Sequence, residues 1–266
     1  MEWIPVLLAL GVLGVIGLIF GILLEVADKK LAVEVDPRIA KVSEALGGAN
    51  CGACGFAGCG DYAAAIVEKG APTNLCKPGG MDTSAQVSAV MGTTAEAMVP
   101  EVAVVHCSGD CNATTRKFDF NGVQSCQAAK RFYGGTGACS FGCLGYGDCM
   151  NMCDNQAISM VNGIAHISSA QCVACGKCVK ACPQHLISVR PVTKHMDVRC
   201  SSAENGKLTK MHCKNGCLGC KICEKKCVSG AIKVVDFHAV IDYEKCTGCG
   251  VCYEACPVGA ISNCEQ

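Results

Sequence analysis

Large side chains are scarce in this sequence. Aromatic residues fill 5% of its 266 positions, with a single tryptophan. A chain so short of bulky groups cannot build an extended hydrophobic core, so much of its folding free energy must come from elsewhere. Charge is sparse too. Acidic and basic residues together make up 17%, with 23 of each sign and a formal net charge of zero. No basic run occurs, which removes the electrostatic footprint of a nucleic-acid binder. Neither a Gly-x-Gly-x-x-Gly fingerprint nor a P-loop is present. Nicotinamide and flavin chemistry therefore belongs to another chain. The length leaves room for one to three domains.

Cysteine, by contrast, occurs 26 times, and its spacing repeats. A shift of 74 residues without any gap lays nine cysteines on nine others, Cys126 on Cys200 through Cys182 on Cys256. Pro183 falls on Pro257 and Ala157-Ile158 on Ala231-Ile232. An internal duplication explains this. The second half of each copy reads C-x2-C-x2-C-x3-C-P, through Cys172, Cys175, Cys178 and Cys182, then through Cys246, Cys249, Cys252 and Cys256. Three thiolates on such a loop can cap one [4Fe–4S] cube while the fourth reaches a partner cube. The run Cys217, Cys220, Cys223, Cys227 has the same spacing. In the second copy, Cys217, Cys220 and Cys223 are therefore expected to join Cys256, and Cys246, Cys249 and Cys252 to join Cys227. In the first copy, Cys172, Cys175, Cys178 and Cys153 make one set. Tyr146 stands where the second copy has Cys220, so Cys143, Cys149 and Cys182 need another partner. Cys139 is the candidate, with a non-protein ligand on an open iron as the alternative. Cys107, Cys111 and Cys126 either join a neighbouring cysteine in a sixth cluster or are spare thiols.

Zinc sites use two separated C-x2-C pairs closed around one ion, whereas four cysteines within eleven residues suit a cube better. A secreted disulfide protein would spread its cysteines through loops. Their clustering points to a reducing compartment.

In chain order, residues 3 to 24 form an uncharged and mostly apolar run long enough for a bilayer core of about 30 Å. A signal peptide fits less well, because no early Lys or Arg and no small-residue cleavage site is present. A buried helix lacks the polar face it would need. Lys29, Lys30, Arg38 and Lys41 follow the run, which by the positive-inside bias puts the remainder in the cytoplasm. Asp36-Pro37 opens a short helix with Ile39, Val42 and Leu46 on one face, stopped at Gly47-Gly48. Cys51, Cys54, Cys59 and Cys76 then form C-x2-C-x4-C-x16-C, read as one more [4Fe–4S] set. Asp61 is expected to cap a second helix that closes at Gly70. Residues 79 to 103 read as a linker with some helix. Asn162-Gly163 marks a tight hairpin. The six histidines form no ligand-like pair and are expected at the surface.

The expected organisation is α+β: a membrane anchor over 1–27, an Fe–S domain over 28–80, a linker over 81–104, and tandem ferredoxin-like modules over 105–192 and 193–266. That combination, with the terminal stretch CTGCGVCYEACPVGAI, resembles the B subunit of Rnf-type complexes. Two modules rather than one, with VVHCSGDC and GCLGYGDC, make it similar to the longer clostridial form. The resemblance implies an electron wire carrying five [4Fe–4S] clusters, or six. It would run from reduced soluble ferredoxin toward membrane-embedded and NADH-oxidising subunits of an ion-translocating ferredoxin:NAD oxidoreductase. It would be anchored in the cell membrane by a single transmembrane helix, its Fe–S domains on the cytoplasmic side. The alternatives are an electron-transfer subunit of a hydrogenase- or formate-type complex that moves no ions, and a membrane-tethered redox sensor.

Because metal sites of this kind do not preform in an unfolded chain, iron removal should unfold most of the protein beyond residue 104. Loss of the cooperative melt after anaerobic chelation checks this, and a melt matching the loaded form contradicts it.

Overall fold

Asp36 accepts the Arg38 amide at 2.8 Å, and Pro37 opens a helix directly behind it. The structure, a computed structural model, describes residues 3–31, 36–95 and 97–264. Helix α1 runs Trp3–Leu31, and its side chains are described at 3, 7, 8 and 10–26, all exposed. Among the described residues no helix is long and apolar enough to cross a membrane. The span expected over 3–24 is therefore not shown, and part of it lies outside the described side chains.

Three helices then pack together: α2 (Pro37–Ala45), α3 (Cys59–Lys69) and α4 (Gly80–Met91). Val42, Leu46, Tyr62, Ile66 and Val87 form their common core. Helix α3 starts at Cys59, two residues before the expected cap. Asp61 sits in its first turn instead, and Asn50 Oδ1 accepts the Cys59 amide at 2.8 Å. Gly70 ends it in the left-handed conformation, as expected. The stretch read as a linker is structured at both ends. Helix α4 completes the three-helix core, and strand β1 (Glu101–Val105) pairs with a strand of the first repeat.

Each repeat builds the same small frame. Strands β2 (Ile158–Val161) and β3 (Ile164–Ile167) form a hairpin whose turn residues Asn162 and Gly163 both have positive φ. Strands β6 (Ile232–Val235) and β7 (His238–Ile241) repeat it one period later. The first repeat also holds α5 (Cys126–Lys130), α6 (Asp148–Asn151) and α7 (Lys177–Ala181). The second holds α8 (Gly206–His212), α9 (Ile222–Lys226) and α10 (Val251–Glu254). Strand β4 (Ile187–Pro191) closes the first repeat against β1, and β8 (Ile261–Asn263) closes the second against β5 (Met196–Val198), all antiparallel. Every described sheet has only two strands. Such pairs are marginal alone in water, and each repeat's core is made largely of small aliphatics and cysteines.

Some polar groups are more deeply engaged than the sequence suggests. His106, expected at the surface, is held between the repeats: Nδ1 lies 2.7 Å from Val198 O and Nε2 2.6 Å from Ser188 Oγ. Burial holds its pKa below the ordinary imidazole value. The ring is then neutral, with Nδ1 donating to the carbonyl and Nε2 accepting from the hydroxyl. The junction of the repeats is clasped by a buried ion pair. Arg190 on β4 reaches Asp197 on β5 through Nε at 2.7 Å and a terminal nitrogen at 2.8 Å. Tyr243 Oη also donates to Asp197 at 2.8 Å, and Cys264 Sγ lies 3.0 Å from the same carboxylate. Asp197 is 0% exposed and Arg190 4%.

Removing one partner of such a pair strands the other charge out of water. Asp197→Ala should therefore cost about 3–5 kcal/mol, read as a lower denaturation midpoint of the iron-loaded protein. Asp154→Ala, which breaks an exposed pair with Lys177, should leave the midpoint unchanged.

Candidate metal centres

The first cysteine set depends on a loop that only small or left-handed residues can follow. Asn50, Gly52 and Gly55 all have positive φ. A Cβ on Gly58 would lie 2.9 Å from Asn50 Oδ1, the atom that anchors the start of α3. Cys59 thus begins the helix, with Cys51 and Cys54 in the loop ahead of it. Cys76 arrives from beyond α3 and is held there by Tyr62, whose hydroxyl donates to Pro72 O at 2.6 Å and accepts the Leu75 amide at 3.0 Å. Burial, and then the nearness of Cys59, Cys51 and Cys54, pushes the Cys76 thiol pKa up. Cys54, Cys59 and Cys76 pack against the same three-helix core.

In the first repeat a cavity of about 20 Å³ is lined by Cys126, Cys143, Cys149 and Cys182. Cys126, rather than the Cys139 expected from sequence, is the fourth cysteine there. The cause lies in α5. Asp148 accepts the amides of Cys126 and Gln127 at 2.9 and 3.0 Å, and Ser125 caps the helix through Ala128 N at 3.1 Å. These bonds aim Cys126 at the cavity. Tyr146, in the place of the missing cysteine, turns instead to Phe120, edge to face at 6.0 Å. A second cavity of about 20 Å³ is lined by Cys153, Cys172, Cys175 and Cys178. Ala103 N on β1 donates to Cys172 Sγ at 3.4 Å.

The second repeat gathers Cys217, Cys220, Cys223 and Cys256. Burial first, then Cys217, Cys220 and Cys256, pushes the Cys223 thiol to about 11. Ala260 N donates to Cys256 Sγ at 3.3 Å and Gly248 N to Cys246 Sγ at 3.4 Å. Cys252 is raised by burial and by its neighbours Cys246 and Cys249. Cys227 and Cys252 pack against the same core. Gly145 and Gly219 hold equivalent loops against the hairpin turns, where a Cβ would meet Gly163 O at 2.6 Å or Phe237 O at 2.7 Å.

Cys139 lies elsewhere. With Cys107, Cys143, Cys200 and Cys213 it lines a cavity of about 30 Å³. Sequence reasoning gave Cys200 and Cys213 no role and left Cys107 unassigned. Cys111 and Cys264 are exposed and line none of these cavities.

The donor sets fit iron–sulfur clusters. Each is four sulfurs, the soft set that selects such clusters or zinc, and backbone amides point at several of the sulfurs. Among the described residues no three His, Cys, Asp or Glu side chains close on one point as ligands of a single ion. Burial raises Cys143 and Cys178 to about 11 and Cys149 to about 12. These thiols keep their protons until a metal displaces them.

Family models match three stretches: an Fe-S cluster domain over residues 46–78, a 4Fe-4S dicluster domain over 171–231 and a 4Fe-4S binding domain over 239–262. The B subunit of the Na(+)-translocating ferredoxin:NAD(+) oxidoreductase complex of Acetobacterium woodii is 40% identical over 241 residues, 90% of this chain and 72% of that protein. The B subunit of the ion-translocating oxidoreductase complex of Methanosarcina acetivorans is 40% identical over 238 residues, covering 89% of this chain and 90% of that one. The chain belongs to the family of B subunits of ion-translocating oxidoreductase complexes. A third member, from the proton-translocating ferredoxin:NAD(+) oxidoreductase complex of Clostridium ljungdahlii, is 41% identical over 239 residues, 89% of this chain and 84% of its own. The complexes of these relatives are thus named for different coupling ions.

If Cys126 completes the set with Cys143, Cys149 and Cys182, Cys126→Ala should lose about four irons per chain, at four per cube. Iron analysis of anaerobically purified protein reads this. An unchanged iron content contradicts the assignment.

Proposed function

We propose that this chain is the iron–sulfur electron relay of an ion-translocating ferredoxin:NAD oxidoreductase. The observation that carries the proposal is the succession of four-cysteine sets along one chain, in a family whose members are subunits of such complexes. Five sets are assigned: Cys51, Cys54, Cys59 and Cys76 in the first domain; Cys126, Cys143, Cys149 and Cys182, then Cys153, Cys172, Cys175 and Cys178, in the first repeat; and Cys217, Cys220, Cys223 and Cys256, then Cys227, Cys246, Cys249 and Cys252, in the second. When bound, each [4Fe–4S] group supplies reversible one-electron transfer. The protein's part is to hold sulfur in place, donate amides to it and exclude water.

The partners are the membrane-embedded and NADH-oxidising subunits and soluble ferredoxin. The C-terminal repeat is the proposed ferredoxin dock, and the first domain lies at the membrane end. Helix α1 supports a membrane anchor, because apolar residues such as Leu13 (65% exposed) and Leu24 (69%) remain uncovered. The basic residues after it support a cytoplasmic placement of the metal-bearing domains. The span contains no ionisable group, so the ion path belongs to other subunits.

Cys54→Ala should remove one cluster and stop ferredoxin-driven NAD reduction by the assembled complex, while the clusters of both repeats stay reducible. Turnover at the wild-type rate would contradict the order proposed.

A further inference from the structure

The duplication gives both repeats the same short helix after matching cysteine loops, α7 in the first and α10 in the second. Their cysteines correspond, Cys178 to Cys252, but their charges do not. The 74-residue shift lays Lys177 on Val251 and Lys180 on Glu254. The difference goes with what α7 meets. A Cβ on Gly52, between Cys51 and Cys54 of the first domain, would lie 3.7 Å from Lys180 Nζ. Lys177 feels the same loop. Its ammonium pairs with Asp154, which raises its pKa most, and Cys175 and then Cys51 add to that rise. Asp154 in turn falls on Val228 in the second copy. Both lysines, and the acid that neutralises one of them, thus belong to the repeat that touches the first domain.

The contact is built from both sides. Ala53, Cys54 and Leu75 of the first domain line one cavity of about 430 Å³ with Cys172, Val173 and Ala174 of the first repeat. Lys77, next to Cys76, pairs with Glu101 on β1, the strand that closes the first repeat. The cysteine loop brings no charge of its own, since residues 45 to 60 contain no acidic or basic side chain. Thiolates gathered there need a cation from another element. Lys77 is spent on Glu101, and Lys177 on Asp154. Lys180 is exposed, and among the described residues it makes no hydrogen bond or ion pair. Its ammonium stands uncommitted at Gly52, where the missing side chain leaves the backbone open to it.

We propose that Lys180, supplied by the first repeat, sets the reduction potential of the site formed by Cys51, Cys54, Cys59 and Cys76 in the first domain. Reduction adds one negative charge to a site that thiolates already surround. A cation beside it stabilises the reduced state more than the oxidised one and moves the potential up. Lys177, already neutralised by Asp154, contributes less. The inference rests on the relay proposed above and gives it a direction. A raised potential in the first domain draws the electron out of the first repeat toward the end proposed to lie at the membrane. No bond or proton changes hands.

The test is an EPR-monitored redox titration of anaerobically purified full-length protein, with iron counted per chain. The first-domain signal is the one that Cys54→Ala removes. Lys180→Gln should keep the wild-type iron content and make that cluster about tenfold less reduced at a fixed poise, a fall of about 59 mV for one electron. Lys180→Arg keeps the charge and should hold the wild-type midpoint. The gap between Lys180→Gln and wild type should narrow as salt is raised, because an exposed charge is screened. Glu254→Gln, at the matching position of the second repeat, should leave the first-domain midpoint where it is. An unmoved first-domain midpoint in Lys180→Gln overturns the proposal. A shift confined to clusters of the first repeat does so too, since the lysine would then serve its own helix. Loss of about four irons in Lys180→Gln also overturns it, because the lysine would then support the loop rather than tune it. If Cys54→Ala removes neither iron nor signal, the relay reading itself fails, an outcome separate from these.

Discussion

Sulfur held at fixed points is the constraint on which the rest of this structure depends. The described sheets are pairs of strands, and the cores of the two repeats are small aliphatic side chains with cysteine among them. Elements that short do not hold themselves together in water. What makes them a fold is that cysteines distant in sequence share a cavity: Cys126 with Cys182, Cys153 with Cys172. Each such set closes a long loop. The buried Arg190–Asp197 pair then fixes one repeat to the next. It joins the last strand of one to the first strand of the other.

The duplication has diverged at one point, and the consequences can be followed residue by residue. A tyrosine replaces one cysteine at position 146. The segment between β1 and the first repeat's loops carries Phe120, which receives the ring of Tyr146, and leads into α5, which presents Cys126 to the cavity. The cysteine absent at 146 and the cysteine that α5 brings to the cavity are thus two ends of one rearrangement. The second repeat kept its own cysteine and has no matching helix at Cys200. There the corresponding residues serve the seam between repeats.

The sequence was most legible where spacing is short and chemistry strict. The Asn162-Gly163 turn, the Asp36 cap and the left-handed Gly70 all follow from local rules, and the structure places them accordingly. It was least legible where the period breaks. Cys107 and Cys200 occupy matching positions after β1 and β5, but only strand register reveals it, because the shift that aligns everything else passes over them. The V-x-C-S tetrapeptide shared by 105–108 and 198–201 was the one signal available. The linker reading allowed for some helix over 79–103 but gave α4 no place in a core, because the side chains it buries are mostly small, Ser84, Val87 and Ser88. His106 carries no mark in the sequence of the two oxygen partners it finds.

Cys111 and Cys264 are both exposed, and they differ. Cys264 leans on the Asp197 carboxylate, whereas Cys111 is exposed on the segment between β1 and α5, its amide bonded to Asn162 O. A thiol in water with no metal to claim it reacts first with alkylating or oxidising reagents. Cys111 is therefore a natural handle for attaching a fluorophore or spin label a short way from the seam between the repeats, while the metal-bound sulfurs stay masked.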